Sequence, residues 1–247
     1  QRSFYAENGF YRVKASVGDH EVVILKDHGT ALPKVSIQVI EEMMEVIRSR
    51  YVWMKENEKV VSITPIYNHG AEAGASIDHA HAQIFASGIV SNTVGREMDG
   101  ANRYYGINGA CVYCDLIKHE LKAKIRIVYE NDHFVAATFF ASRFPFEMWV
   151  LPKVHESQFE LTSKASLKDF SHALKDVLEK LDKTLDNPPF NFYIHTLPTI
   201  MKNSASYHWH LELTPRVSTF GGFELGSEVI INVMSPEEAA DYLGNSK

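Results

Sequence analysis

The sequence predicts an α+β fold in which one structural unit occurs twice in tandem. Two long segments place apolar side chains at helical spacing, and short runs rich in β-branched and aromatic residues flank each of them. Motifs of the first half also return in the second half at a nearly constant offset. Such a repeat is stronger evidence than local propensity, so we infer a duplicated unit, with copies at residues 1–100 and 101–247.

The predicted helices follow from the spacing of apolar residues. Residues 35–56 and 165–186 both read as amphipathic helices, and residues 115–122 form a shorter helical run after a cysteine pair. Pro236 begins a further helix, with Ser235 as its N-cap. The segment 94–110 contains several glycines and asparagines without periodicity, which indicates an irregular connection between the two units.

Eight strands are expected from the β-rich runs. Three belong to the first unit and five to the second, at residues 21–25, 60–67, 79–85, 126–130, 134–139, 146–151, 191–195 and 207–214.

The repeat is visible in individual residues. Glu21 and His28 return as Glu147 and His155, and the run 79–83 (His-Ala-His-Ala-Gln) returns as 208–212 (His-Trp-His-Leu-Glu), at offsets of about 127 residues. The counterpart of the Cys111 and Cys114 pair would fall before residue 1. We therefore expect the equivalent metal site of the first unit to be weakened.

Composition excludes several classes of protein. Of the 247 residues, 45% are hydrophobic and 23% charged, which argues against a disordered, collagen-like or coiled-coil chain. The formal net charge is −6, and no basic run offers a surface for nucleic acid or anionic membranes. No apolar stretch approaches the ~20 residues of a membrane span, and residues 1–5 lack the apolar core of a signal peptide, so we expect a cytoplasmic protein.

A glycine-bearing loop precedes a histidine-rich strand in the first half. On a β-strand, His79, His81 and Gln83 would share one face, and the preceding residues 68–76 can offer backbone N–H groups and a hydroxyl to phosphate oxygens. Neutral imidazole is a good nucleophile and leaving group near neutral pH, so this pattern favours a phosphoryl-histidine intermediate. The residues alone leave open a purely structural role for both histidines.

The two cysteines form a Cys-x-x-Cys pair. With His155 and His208, Cys111 and Cys114 would complete a tetrahedral zinc site in the second unit. A redox pair and two inert thiols are the alternatives.

These motifs resemble the galactose-1-phosphate uridylyltransferase branch of the histidine triad superfamily along almost the whole chain. The most specific is Asn-x-Gly-x-x-x-Gly-Ala-Ser-x-x-His-x-His-x-Gln at residues 68–83, supported by Pro152-Lys153-x-His155, Tyr207-His-Trp-His210 and Phe223-Glu224. The resemblance implies two histidine-triad-like units, each an antiparallel sheet or half-barrel with helices. It also implies a homodimer whose active sites draw on both subunits, and a role in galactose metabolism.

The resemblance also implies roles for individual residues. His81 would attack the α-phosphorus of a nucleotide sugar and Gln83 would steady the nucleotidyl-histidine. The metal ligands would be His28 and His79 in the first unit and the cysteine set, with zinc, in the second. Other members build a second metal site, for iron, from residues that match Glu97, His195, His208 and His210; because both sets need His208, they would compete, and we favour the cysteine set. The substrate-binding positions would be Asn68, Gly74, Ala75, Ser76, Phe223 and Glu224.

The leading functional hypothesis is a hexose-1-phosphate uridylyltransferase that uses UDP-glucose and a sugar 1-phosphate. A phosphorylase would pass the same nucleotidyl group to inorganic phosphate, and Ser218 and Ile230, which replace the usual Lys and Gln, favour it. A nucleotide-binding module without catalysis is the alternative of another class. A hydrolase would predict a third histidine in place of Gln83 and ranks lower.

Overall fold

A computed structural model describes residues 5–8 and 11–244 of the chain. Residues 1–4, on which the expectation about a signal peptide mainly depends, lie outside this part. Within the described ranges the chain forms ten strands. These are β1 Tyr5–Asn8, β2 Tyr11–Lys14, β3 Gly18–Ile24, β4 Ser62–His69, β5 His81–Ser87, β6 Ile127–Glu130, β7 Phe134–Thr138, β8 Met148–Pro152, β9 Phe190–His195 and β10 His210–Pro215.

Six α-helices occur in the same described ranges. They are α1 Ile37–Lys55, α2 Asn92–Asn108, α3 Val112–Ala123, α4 Lys164–Leu185, α5 Gly222–Ser227 and α6 Pro236–Gly244. The mixed α and β architecture confirms the predicted fold class. Ser235 Oγ accepts from the Glu238 backbone N–H at 3.2 Å, as expected of an N-cap.

The prediction of an irregular connection at residues 94–110 is wrong, because α2 occupies that segment. The helix is capped at its start by Ser91, whose Oγ accepts from the Val94 N–H, and it ends at Gly109, whose φ is 67°. The described helix buries only Val94 and Ala101, so its apolar stripe is too short to give a periodic signal.

The two halves share one antiparallel sheet. Its strand order is β3-β5-β4-β9-β10-β8-β7-β6, and β1 pairs with β2 in a separate hairpin. The central pair, β4 with β9, joins the first half of the chain to the second. To either side of it the order β4-β5-β3 is matched by β9-β10-β8, so the predicted repeat reappears as an approximate symmetry about β4 and β9. The division at residue 100 stays a prediction.

Helices α1 and α4 cover one face of the sheet. Alternate strand residues, among them Ala82, Ile84 and Leu211, enter the main hydrophobic core on that side. On the other face α2 and α3 cover only the second half, around Trp149 and Tyr207. The first half of this face is left open by the described residues, and Ile24 there is 67% exposed.

No helix in the described ranges has both the length and the apolar composition that a membrane crossing requires.

Candidate active site and metal centres

The open face of the sheet brings together polar residues from both halves. Gln83 and Tyr193 both lie opposite Ile66, and Tyr193 in turn lies opposite Glu212. Two residues along each strand, Asn68 pairs with Asn191. Because alternate side chains of a strand share a face, this surface is built jointly by the two units.

His81 opens β5 and is oriented by its own backbone. Its Nδ1 lies 2.7 Å from the carbonyl oxygen of His79, which can only accept, so Nδ1 carries the proton. In this tautomer the ring's lone pair lies on Nε2. His81 is only 8% exposed, so this nitrogen is held in a defined direction rather than on a mobile side chain.

The sequence predicts His79 on one strand with His81 and Gln83, but in the structure His79 lies before β5, which begins at His81. The Nε2 of His79 donates to the carbonyl oxygen of Leu25 at 2.5 Å, and its ring meets the edge of His28 at a centroid distance of 4.4 Å. Within the strand, only His81 and Gln83 form the predicted row. Because Nε2 donates, the Nδ1 lone pair of His79 is left available to a ligand, and its role at the first metal position stays a prediction.

The Gln83 side chain is held by His20 of β3, the strand at this edge of the sheet. His20 Nε2 lies 3.0 Å from Gln83 Oε1, and the His20 ring stacks on Phe85 at a centroid distance of 4.1 Å. If His20 donates to this oxygen, the Gln83 amide N–H groups are left to face a phosphoryl oxygen.

The loop between β4 and β5 turns tightly around two glycines. Gly70 and Gly74 have φ of 82° and 80°, and they flank a single 3-10 turn at Ala71–Ala73. A side chain on Gly70 would come within 2.8 Å of Pro189 Cβ. The loop borders a cavity of about 360 Å³, whose walls include Asn68, Ala75 and His79. Ser76 and Gly74 are exposed on the same loop but do not line that cavity.

Two groups of four possible metal ligands occur among the described residues, and each has all its donor atoms within 4.8 Å of one another. The first is the predicted set of Cys111, Cys114, His155 and His208. Cys114 Sγ lies 3.4 Å from His155 Nδ1 and 3.7 Å from His208 Nδ1. Tetrahedral zinc with one sulfur and one nitrogen ligand would separate them by about 3.6 Å, so the spacing fits.

Hydrogen bonds to backbone carbonyl groups orient the two histidines of this set for binding a cation. His155 Nε2 and His208 Nε2 each donate to a carbonyl oxygen at 2.9 Å, which leaves both Nδ1 lone pairs facing the cysteines. Burial, assisted by His155, lowers the pKa of His208 to about 3, so the ring is neutral. Burial and the neighbouring Cys111 raise the pKa of Cys114 to about 12, so a thiolate at this position needs a nearby cation.

The repeat extends to these hydrogen bonds. His79 donates to Leu25 and His81 to the carbonyl of His79; in the second half His208 donates to Pro152 and His210 to the carbonyl of His208. His210 thus occupies the place of His81, but it is fully buried and stacks on Trp149 at 4.4 Å. The second unit therefore has the same framework, but its Nε2 equivalent to that of His81 is buried.

The second group consists of Glu97, His195, His210 and Glu212. The prediction that both groups would compete for His208 is not matched, because the groups share no residue. His208 faces the cysteines, and Glu212, which the repeat aligns with Gln83, takes its place. His195 Nδ1 is buried 2.9 Å from Glu97 and 3.3 Å from Glu212, without an aligned hydrogen bond to either. Two nitrogens and two carboxylates suit a harder divalent cation than the thiolate set does.

The charges of the second group are balanced within the group and by neighbouring charged side chains. Burial opposes a charge on His195, but the Glu212 and Glu97 carboxylates outweigh it and raise its pKa to about 9. Arg143 pairs with Glu212 and lies 2.9 Å from Glu147 and 2.8 Å from the Tyr193 hydroxyl. A divalent cation here would have to displace the proton of His195.

Phe223 and Glu224 lie on α5, away from the walls of the cavity at Asn68. Glu224 Oε2 accepts from the Gly221 N–H at 2.9 Å, capping its own short helix, and Phe223 is 56% exposed. Within one subunit the structure does not bring these two residues into the described cavity.

Sequence reasoning missed four residues of this surface: His20, Arg143, Asn191 and Glu212. For Glu212 the signal was the repeat, which pairs it with Gln83. The other three act through partners distant in the sequence, which no local motif marks.

Comparison with known proteins extends over the whole chain. Residues 1–91 match the family described as galactose-1-phosphate uridyl transferase, N-terminal domain, and residues 97–243 match its C-terminal domain. The chain is 34% identical to ADP-glucose phosphorylase from Arabidopsis thaliana, over 98% of this chain and 68% of that protein. It is 32% identical to galactose-1-phosphate uridylyltransferase from Thermotoga maritima, over 97% of this chain and 77% of the relative.

Solved structures of similar proteins share this fold. The crystal structure of the Arabidopsis thaliana ADP-glucose phosphorylase with bound ADP-glucose superimposes with a TM-score of 0.86, covering 92% of this chain and 73% of that one at 34% identity. A uridylyltransferase structure superimposes with a TM-score of 0.91 at 22% identity, covering 98% and 79%, which supports the fold.

Proposed function

The chain belongs to the galactose-1-phosphate uridylyltransferase family of nucleotidyltransferases, and from that premise we propose that it transfers a nucleoside monophosphate through a covalent adduct on His81. The observation that supports this most is the hydrogen bond from His81 Nδ1 to the carbonyl of His79, which leaves Nε2 as the nucleophile. The proposed donor is UDP-glucose, and the proposed acceptor is a hexose 1-phosphate such as galactose 1-phosphate.

In the first step the Nε2 lone pair attacks the α-phosphorus of the nucleotide sugar. A P–N bond forms as the bond to the bridging oxygen breaks, and hexose 1-phosphate leaves with that electron pair. The Nδ1 proton stays on the ring and faces the His79 carbonyl, which stabilises the positive charge of the adduct. Gln83 would donate to a phosphoryl oxygen, and Asn68 with Ala75 and Ser76 would hold the phosphates.

In the second step a phosphate oxygen of the acceptor attacks the same phosphorus. The P–N bond breaks, its electron pair returns to Nε2, and His81 is regenerated without a net proton transfer. The same step with inorganic phosphate would release a nucleoside diphosphate. This phosphorylase reaction is the second candidate, favoured by the 34% identity to an ADP-glucose phosphorylase across nearly the whole chain.

We further propose zinc at Cys111, Cys114, His155 and His208, where it would fix the start of α3 to the end of β8 and the start of β10. Glu97, His195, His210 and Glu212 are the alternative site, suited to iron. Phe223 and Glu224 would serve the active site of a second subunit in a homodimer.

A matrix of donors and acceptors tests the function. UDP-glucose and ADP-glucose are each incubated with galactose 1-phosphate or with inorganic phosphate, and the products are separated by chromatography. The uridylyltransferase proposal expects UDP-galactose only in the first combination. Phosphate-dependent release of ADP or UDP would instead establish the phosphorylase, and full turnover by His81→Asn would refute the covalent mechanism for both. Nucleotide binding without turnover in any combination would support a binding module.

A further inference from the structure

Asn191 links the second half of the chain to residues 68–76 of the first half, which we call the phosphate loop. Its Nδ2 donates to Asn68 Oδ1 at 2.8 Å and to the Ala73 carbonyl oxygen at 2.7 Å. A carbonyl oxygen can only accept, so the amide of Asn191 must present its NH₂ group to this side. Both hydrogens of one amide nitrogen are therefore used on two oxygens of the active-site face.

This contact fixes the orientation of a second amide. Because Asn191 donates to Asn68 Oδ1, the NH₂ group of Asn68 must point the other way, and Asn68 lines the cavity beside the loop. An amide turned round would present its oxygen to a phosphate and repel it. The second bond, to Ala73, holds the 3-10 turn whose exit is Gly74.

The surroundings hold Asn191 in place. It pairs with Asn68 across the junction of β4 and β9, and Thr214 Oγ1 donates to its backbone carbonyl oxygen at 3.2 Å. Pro189, two residues earlier, packs against Gly70 at the start of the loop. One short stretch of the second unit thus contacts the start of the phosphate loop and its 3-10 turn.

We propose that Asn191 is a positioning residue for phosphate recognition: it orients the Asn68 amide so that its N–H groups face the diphosphate of the substrate, and it holds the Ala71–Ala73 turn beside that amide. This inference rests on the proposed function, because it assumes that the loop receives phosphate oxygens. It assigns the second unit a part in substrate binding, although that unit has no accessible nucleophile of its own.

Binding of nucleoside diphosphates tests the proposal without depending on turnover. UDP, ADP and the corresponding nucleosides are titrated into the 247-residue protein by calorimetry. Asn191→Asp keeps the size of the side chain but removes both donors, and it should turn the Asn68 amide round. We expect it to raise the Kd of the preferred diphosphate at least about tenfold, as for loss of hydrogen bonds to a charged group, with little change for the nucleoside.

Asn131→Asp is the matched control. Asn131 Nδ2 also donates to a backbone carbonyl, that of Asp169 at 2.9 Å, but it lies in the turn between β6 and β7. It should lower the thermal midpoint without changing diphosphate affinity. If Asn191→Asp fails to fold, Asn191→Ser, which keeps one donor, should give an intermediate loss of affinity.

A double-mutant cycle with Asn68→Ala separates orientation from general damage. If Asn191 acts largely through Asn68, its replacement should cost clearly less in the Asn68→Ala background than in the wild type. An unchanged diphosphate Kd in a folded Asn191→Asp variant, or equal losses for diphosphate and nucleoside, would overturn the inference. Failure of the proposed function is a separate result, seen as a wild-type protein that binds diphosphate but forms no adduct on His81.

Discussion

At the scale of single residues, the direction in which each histidine donates its proton decides what its other nitrogen can do. His79 and His208 donate from Nε2 and keep Nδ1 for a ligand, whereas His81 and His210 donate from Nδ1 and keep Nε2. One backbone pattern therefore produces alternating ligand and nucleophile positions. Burial then distinguishes the halves, since His210 is covered by Trp149.

The first prediction concerns Gln83. Gln83→Glu keeps the shape but replaces an amide donor by a carboxylate that repels the phosphoryl oxygens, so we expect adduct formation to slow by about 10²–10³-fold. Single-turnover quench experiments measure this rate. Gln38→Glu, a matched change on the exposed side of α1, should leave it unchanged. A rate within threefold of wild type for Gln83→Glu would remove Gln83 from the mechanism.

Much of the residue-level site was predictable, because the motif at residues 68–83 is contiguous in sequence. Asn191 and Arg143 were not, because Asn191 contacts Asn68 and Arg143 contacts Glu212 across 123 and 69 residues of sequence, and only the folded sheet brings them together. No spacing rule marks such contacts in a single sequence.

At the scale of elements, the cysteine group connects three pieces of structure. Cys111 is the N-cap residue of α3, His155 follows β8, and His208 precedes β10. A cation bound by all three would stabilise their arrangement against unfolding.

The second prediction is that Cys114→Ser lowers bound zinc by one equivalent per chain, measured by elemental analysis. Loss of a cation present at about a thousand times its Kd removes on the order of 4 kcal/mol, so the thermal midpoint should fall by about 10 °C. His119→Ala, an exposed histidine of the same helix, is the control and should retain the metal. Unchanged zinc content in Cys114→Ser would place the metal elsewhere, with Glu97 and His195 as the next candidates.

The third prediction concerns the ion pairs that tie α3 and α6 to β6. Arg126 is 8% exposed and donates to Glu120 at 2.7 Å and to Glu237 at 2.5 Å. Arg126→Met would leave the buried Glu120 carboxylate unpaired, which costs about 3–5 kcal/mol of unfolding free energy. Chemical denaturation measures it. Arg96→Met, which breaks an exposed pair with Glu228, should cost less than about 1 kcal/mol; equal costs would contradict this account.

Strands and long helices were predictable because their apolar periodicity is strong. Helix α2 was not, since its few buried residues leave no stripe, and its glycines suggested a loop. Its start is defined instead by the side-chain cap of Ser91, a local contact that outweighs the weak pattern.

At the scale of the whole molecule, the two copies of the unit differ in how far their equivalent histidines are buried. The sheet has an approximate symmetry about β4 and β9, yet His81 is 8% exposed whereas His210 is fully buried. The repeat was readable from the sequence. The contacts that the two copies make with each other across β4 and β9 could not be predicted from the sequence, because they depend on how the copies pair in space.

The fourth prediction is that active sites draw on two subunits. The His81→Ala and Glu224→Ala proteins should each be inactive, but unfolding and refolding them together should restore activity, because a hybrid dimer contains one intact site. Random pairing predicts about a quarter of wild-type activity, measured after sedimentation confirms a dimer. No recovery from an assembled mixture would show that Glu224 serves its own subunit or none.

The central claim is the covalent adduct on His81, and intact-protein mass spectrometry after brief incubation with UDP-glucose or ADP-glucose tests it most directly. The account predicts a mass gain of one nucleoside monophosphate with one of these donors and none in His81→Ala; the size of the gain also identifies the base. A gain that persists in His81→Ala, or no gain while turnover proceeds, would contradict it.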